Sequence, residues 1–104
     1  MATPVVYLIH FAQPIGNDRH QAQHYIGFAK RLADRIKHHR SGNGAAIMAA
    51  VTEQGIDWQV VRTWEVATPH DGYLLEIKLK SRHDHKQLCP ICNPNGRAGR
   101  FDKF

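Results

Sequence analysis

Two tyrosines, an arginine, a histidine and a glutamate carry the side chains from which a chain could assemble phosphodiester hydrolysis. That reaction needs a route for a proton off water, positive charge beside the phosphate and an anionic oxygen for a divalent cation. Tyr7 and Tyr25 offer hydroxyls. Arg35 offers a planar fork of donors that matches phosphate geometry. His39 follows four residues later, about 6 Å along a helix axis, and so faces the same way; an imidazole there can accept a proton or donate to a phosphate oxygen. Glu76 lies among Leu74, Leu75 and Ile77, the acid closest to the apolar side of its segment. One carboxylate completed by waters and substrate oxygens is an ordinary magnesium site. Each residue also has a plainer reading: core aromatics, a solvated basic helix face, and a surface Glu76–Lys80 pair worth only ~0.3 kcal/mol.

A second constellation is His83, His85, Cys89 and Cys92, four borderline or soft ligands within ten residues. It could close a tetrahedral structural zinc site; the alternative is a Cys-Pro-Ile-Cys turn with reduced thiols.

The elements that must position these groups follow from pattern. Residues 5–11 are nearly all apolar and β-branched or aromatic, as in a strand covered on both faces, with Pro4 harmless at its start. Residues 12–23 hold Pro14, Gly16, Asn17 and Asp18 and read as a long hairpin loop. A short second strand, 24–28, returns antiparallel to the first. From Ala29 the period changes: Ala29, Leu32, Ala33 and Ile36 form a helical stripe, with Lys30, Arg31, Arg35 and Lys37 on the other faces and an end at residues 41–44. A second helix spans 45–54 and stops at Gly55. Residues 57–65, anchored by Trp58, Val60, Val61 and Trp64, make a third strand. Thr68 as N-cap and Pro69 at the first helical position start a helix running to about Lys80, which buries Leu74, Leu75 and Ile77 to varying degrees. Tyr73, Glu76 and Lys80 share one face of it. The order β-β-α-α-β-α predicts an α+β fold, a small mixed or antiparallel sheet of about three strands with flanking helices.

A chain of 104 residues is expected to form one domain, with 1–80 as its body and 81–104 as a basic segment rich in histidine and cysteine. Apolar content of 42% fits a globular core rather than disorder. No membrane-spanning run or signal-peptide layout appears, so a soluble, cytoplasmic protein is expected. The formal charge of +5 favours a polyanionic partner.

These residues, in this order, resemble the GIY-YIG nuclease family. Val5-Val6-Tyr7 is similar to the first motif, with valine in place of its glycine, and Tyr25-Ile26-Gly27 matches the second. Arg35, His39 and Glu76 match the later helix positions, so the resemblance covers residues 5 to about 80. It implies a metal-dependent endonuclease that hydrolyses DNA with Mg2+ or Mn2+ held by Glu76. In that reading Tyr7 is general base, Arg35 stabilises the phosphate, and Tyr25 and His39 assist. Asn93 and Asn95 are the candidates for a further family asparagine. Lys30, Arg31, Lys37 and Arg40 would contact phosphates. The partner is DNA, with RNA left open, and the protein is a monomer or a homodimer. The alternatives are a non-catalytic nucleic-acid-binding module of the same fold and a zinc-stabilised interaction domain.

Overall fold

A computed structural model describes residues 3–16, 21–42, 44–82 and 85–93. The elements run β1 (Val5–Gly16), β2 (Gln21–Ala29), α1 (Leu32–Arg40), α2 (Ala46–Glu53), β3 (Trp58–Glu65), α3 (Pro69–Lys80) and α4 (His85–Leu88). The expected α+β order is present, followed by the short α4. The sheet is three-stranded, ordered β2-β1-β3, and antiparallel throughout.

The apolar run at the start of β1 is explained by its place. As the middle strand it is covered on both faces, and Val6, Tyr7, Leu8, Ile9 and Phe11 have no exposed surface. Alternation sends Tyr7, Ile9 and Phe11 to one face, with Ala29, Met48, Val51 and Trp58. Val6 and Leu8 go to the other face, with Ile26, Trp64, Leu75, Leu79, Leu88 and Cys89. Helices α1 and α2 therefore cover the tyrosine face, while α3 and the segment after it cover the opposite one.

Two irregularities set which residues face where. Between β1 and β3 the pairing steps from Leu8↔Arg62 to Ile9↔Val60, leaving Val61 as an extra residue on β3. Trp58 and Trp64, six residues apart, consequently lie on opposite faces of the sheet. Between β1 and β2 the pairing steps from His10↔His24 to Ile15↔Ala22. Pro14, which has no N–H to give, falls in this irregular stretch. The Gln23 side-chain amide donates to the Phe11 carbonyl there at 3.2 Å.

Three expectations need correction. The loop expected over residues 12–23 is largely strand, since β1 continues to Gly16 and β2 begins at Gln21. Ala29 ends β2 and Lys30 lies in a bend, so the first helix starts three residues later than its stripe suggested. On α3, Leu74 and Ile77 are about half exposed, whereas Gly72, Leu75 and Leu79 are buried. Gly72 decides that face: a Cβ there would run into the ring of Phe28 on β2. The cap is as expected, with the Asp71 N–H donating to the Thr68 hydroxyl at 3.1 Å.

Candidate functional site

Tyr7 stands in the middle of the sheet with its ring passing over Gly27, its cross-strand partner on β2. A Cβ on Gly27 would lie 2.5 Å from the Tyr7 hydroxyl oxygen and 2.8 Å from Cε2 of Tyr25. The glycine after Tyr25-Ile26 is thus what admits both rings side by side. Their centroids are 6.2 Å apart.

His39 closes this pocket from the last turn of α1. Its Nε2 is 2.7 Å from the Tyr7 hydroxyl, and its ring meets Tyr25 and Trp58 edge-on at 5.6 and 6.2 Å. The side chain is fully buried. Thr52 on α2 donates its hydroxyl to the His39 carbonyl at 3.2 Å, joining the two helices. Gly44, in the α1–α2 connection, lies against the imidazole so closely that any Cβ would strike Nδ1.

Arg35, one turn earlier on α1, directs its guanidinium to the hydroxyls of Tyr7 and Tyr25. These contacts, the one with Tyr7 foremost, raise its pKa and outweigh a lowering by burial. It is a fixed cation. Its Nε is buried and finds no hydrogen-bond partner among the described residues.

Protonation states follow. Burial, the dominant effect, raises the Tyr7 pKa to about 12, opposed by hydrogen bonding from Arg35. Burial also lowers that of His39 to about 4, with the positive charges of Arg35 and then His38 adding to the effect. At neutral pH the pocket therefore holds a phenol, a neutral imidazole and a guanidinium.

Glu76 is near enough for its charge to raise the Tyr7 pKa further. Its carboxylate is 3.2 Å from Lys80 Nζ, which in turn lies 5.7 Å from the Tyr25 ring centroid. Tyr7, Tyr25, Arg35 and His39 are accordingly neighbours, drawn from β1, β2 and α1, and Glu76 on α3 lies within electrostatic range of Tyr7. The four basic residues expected around them are exposed: Lys30 and Arg31 just before α1, Lys37 and Arg40 on it. Arg40 lays its guanidinium 4.3 Å over Trp58.

The expected zinc ligands are corrected. Cys89 and Cys92 do sit beside two histidines, but these are His10 on β1 and His24 on β2. One ligand atom from each of the four residues lies within 4.8 Å of the others, a group able to hold a metal ion. His85 instead points Nε2 at the Leu79 carbonyl, 3.0 Å away. His83 and Asn95 lie outside the described residues; Asn93 donates to the Gln87 carbonyl at 3.4 Å. His10 and His24 were hidden within the two strands. A polar His10 inside an otherwise apolar run was the available signal.

No family model, curated protein or solved structure matches the chain. No helix among the described residues is long and apolar enough to cross a membrane.

Proposed function

We propose that the chain is a metal-dependent endonuclease of GIY-YIG type that hydrolyses phosphodiester bonds in DNA. The observation that carries this reading is the meeting of Tyr7, Tyr25, Arg35 and His39 in one hydrogen-bonded pocket, with Glu76 within electrostatic reach.

Arg35 binds the scissile phosphate through its guanidinium, its charge stabilising the negative charge that develops there. Tyr7 takes the proton of the attacking water at its hydroxyl oxygen and passes its own proton to His39 Nε2, 2.7 Å away. This relay avoids a free phenolate, which a pKa near 12 opposes. Arrival of a phosphate offsets the Arg35 charge, the second cause of the low His39 pKa, and makes the imidazole a better acceptor when substrate is present. Tyr25 holds Arg35 in place. Glu76 supplies the one protein carboxylate for Mg2+ or Mn2+, with the remaining positions left to water and phosphate oxygens. Such an ion would acidify the water and neutralise phosphate charge. Lys30, Arg31, Lys37 and Arg40 bind the flanking backbone. Zinc, the other cation in this reading, belongs to the His10, His24, Cys89 and Cys92 group, apart from the hydrolysis.

The second reading, a binding module of the same fold, is favoured by the Glu76–Lys80 pair, which already engages the carboxylate. One experiment separates them: incubation of the full chain with labelled duplex, branched and single-stranded DNA and with RNA, with and without Mg2+ or Mn2+, beside Arg35→Ala. The nuclease reading expects metal-dependent cutting that falls about 10²–10³-fold in the variant, while binding weakens far less. Binding without cutting on every substrate, or equal losses of binding and cutting, favours the module.

A further inference from the structure

The His10 ring carries the observation that matters. Its Nδ1 lies 3.4 Å from His24 Nε2, 3.5 Å from Cys89 Sγ and 3.6 Å from Cys92 Sγ, while Cys92 Sγ is 3.4 Å from His24 Nε2. A ring nitrogen has one in-plane lone pair or one N–H, so it cannot hydrogen-bond three neighbours at once. Hydrogen bonding alone does not account for the cluster.

A tetrahedral ion does. With zinc–nitrogen bonds of about 2.0–2.1 Å and zinc–sulfur bonds of about 2.3 Å, the tetrahedron has edges of about 3.3–3.4 Å between nitrogens and about 3.5–3.6 Å between nitrogen and sulfur. Four of the six separations match these edges to within about 0.2 Å, and all four ligand atoms lie within 4.8 Å of one another. The two imidazoles are tilted by 61° with centroids 5.2 Å apart, so the rings are not stacked face to face. Two imidazoles and two thiols form a donor set suited to zinc rather than to magnesium or calcium.

We propose that His10 Nδ1, His24 Nε2, Cys89 Sγ and Cys92 Sγ bind one Zn2+ as a closed structural site, clasping the segment after α3 onto the β1–β2 hairpin. Four protein ligands leave no open position for catalysis. His10 and His24 are directly paired across the two strands, so the hairpin presents both nitrogens as a unit. The cysteines arrive on a tight turn, closed by the Asn93 N–H donating to the Cys89 carbonyl at 2.9 Å. Leu88 and Cys89 are buried against the sheet, and Arg62 on β3 donates to the Leu88 carbonyl at 3.4 Å. Exposed Cys92 gives the ion its way in.

The test is metal content and coordination, independent of any nuclease assay. Full-length protein purified with zinc present should carry about one zinc per chain. Exchange with Co2+ should produce the intense visible and thiolate charge-transfer bands of a tetrahedral S2N2 site. Cys92→Ser, at an exposed position, and His24→Ala should each weaken metal by more than about tenfold in chelator competition. His83→Ala and His85→Ala should retain it. Protein that takes up no stoichiometric metal, Co2+ spectra of octahedral type, or undiminished affinity in Cys92→Ser would overturn the site. Should a variant fail to fold, the Co2+ spectrum of the parent decides alone.

Discussion

Acidification should loosen this fold through one side chain, His39. Its imidazole is fully buried against Tyr7, Tyr25 and Trp58, and its pKa falls from 6.5 to about 4, chiefly through burial and then through Arg35 and His38. Between these two values the unfolded chain takes up a proton that the folded chain refuses. Stability from this group is therefore complete above pH 6.5 and is lost as pH falls toward 4. Each unit is worth about 1.4 kcal/mol, so the loss is about 2 kcal/mol at pH 5 and about 3 kcal/mol at the acid limit. The assay is urea unfolding from pH 7 to pH 5 of the parent and of His39→Gln, both with zinc in excess. Groups that titrate in both proteins cancel in the comparison. At an ordinary urea dependence, the parent's midpoint should fall relative to the variant's by roughly 1 M over this range. Parallel midpoints would refute the neutral, buried imidazole, and with it the acceptor on which the proposed proton relay depends.

Three other outcomes are expected. Glu76→Gln keeps its shape and loses only a partly exposed pair with Lys80, so the thermal midpoint should hardly move while Mg2+-dependent cleavage collapses and DNA affinity stays level or rises; cleavage like the parent's would remove Glu76 as metal ligand. Gly27→Ala places a methyl group 2.5 Å from the Tyr7 hydroxyl oxygen and 2.6 Å from Cζ, and should cost about 1–3 kcal/mol in denaturant unfolding as both tyrosine rings shift. Tyr7→Phe keeps the ring but takes from Arg35 and His39 their shared partner; a folded variant cleaving at the parental rate would exclude Tyr7 from proton transfer.

The order of the elements and the α+β class were legible in the sequence, and so was the grouping of Tyr7, Tyr25, Arg35 and His39. Tyr7 and Tyr25 were readable as strand residues, and Arg35 and His39 as a one-turn pair, because strand alternation and helical period are local properties. What escaped was non-local. Leu74 and Ile77 look like core residues by composition, yet Gly72 docks α3 on Phe28 in an orientation that leaves them half exposed. The extra residue at Val61 reverses the facing of one tryptophan relative to the other, and no spacing rule reveals a bulge. The proposed zinc ligands show the same limit. Nearness in sequence favoured His83 and His85, whereas strand pairing supplies His10 and His24, and 79 positions separate His10 from Cys89.

The central strand also carries a constraint on how the chain can change over time. Tyr7 and His10 are separated by an odd interval, which keeps the histidine and cysteine cluster on one face of the sheet and the pocket of Tyr7, Tyr25 and His39 on the other. Substitution of Leu8 or Ile9 by other apolar residues leaves this separation intact. Insertion or deletion of one residue between them would send one of the two to the wrong side, losing a ligand or the tyrosine in a single event. Descendants of this chain should therefore hold the length of this stretch fixed while its apolar side chains drift.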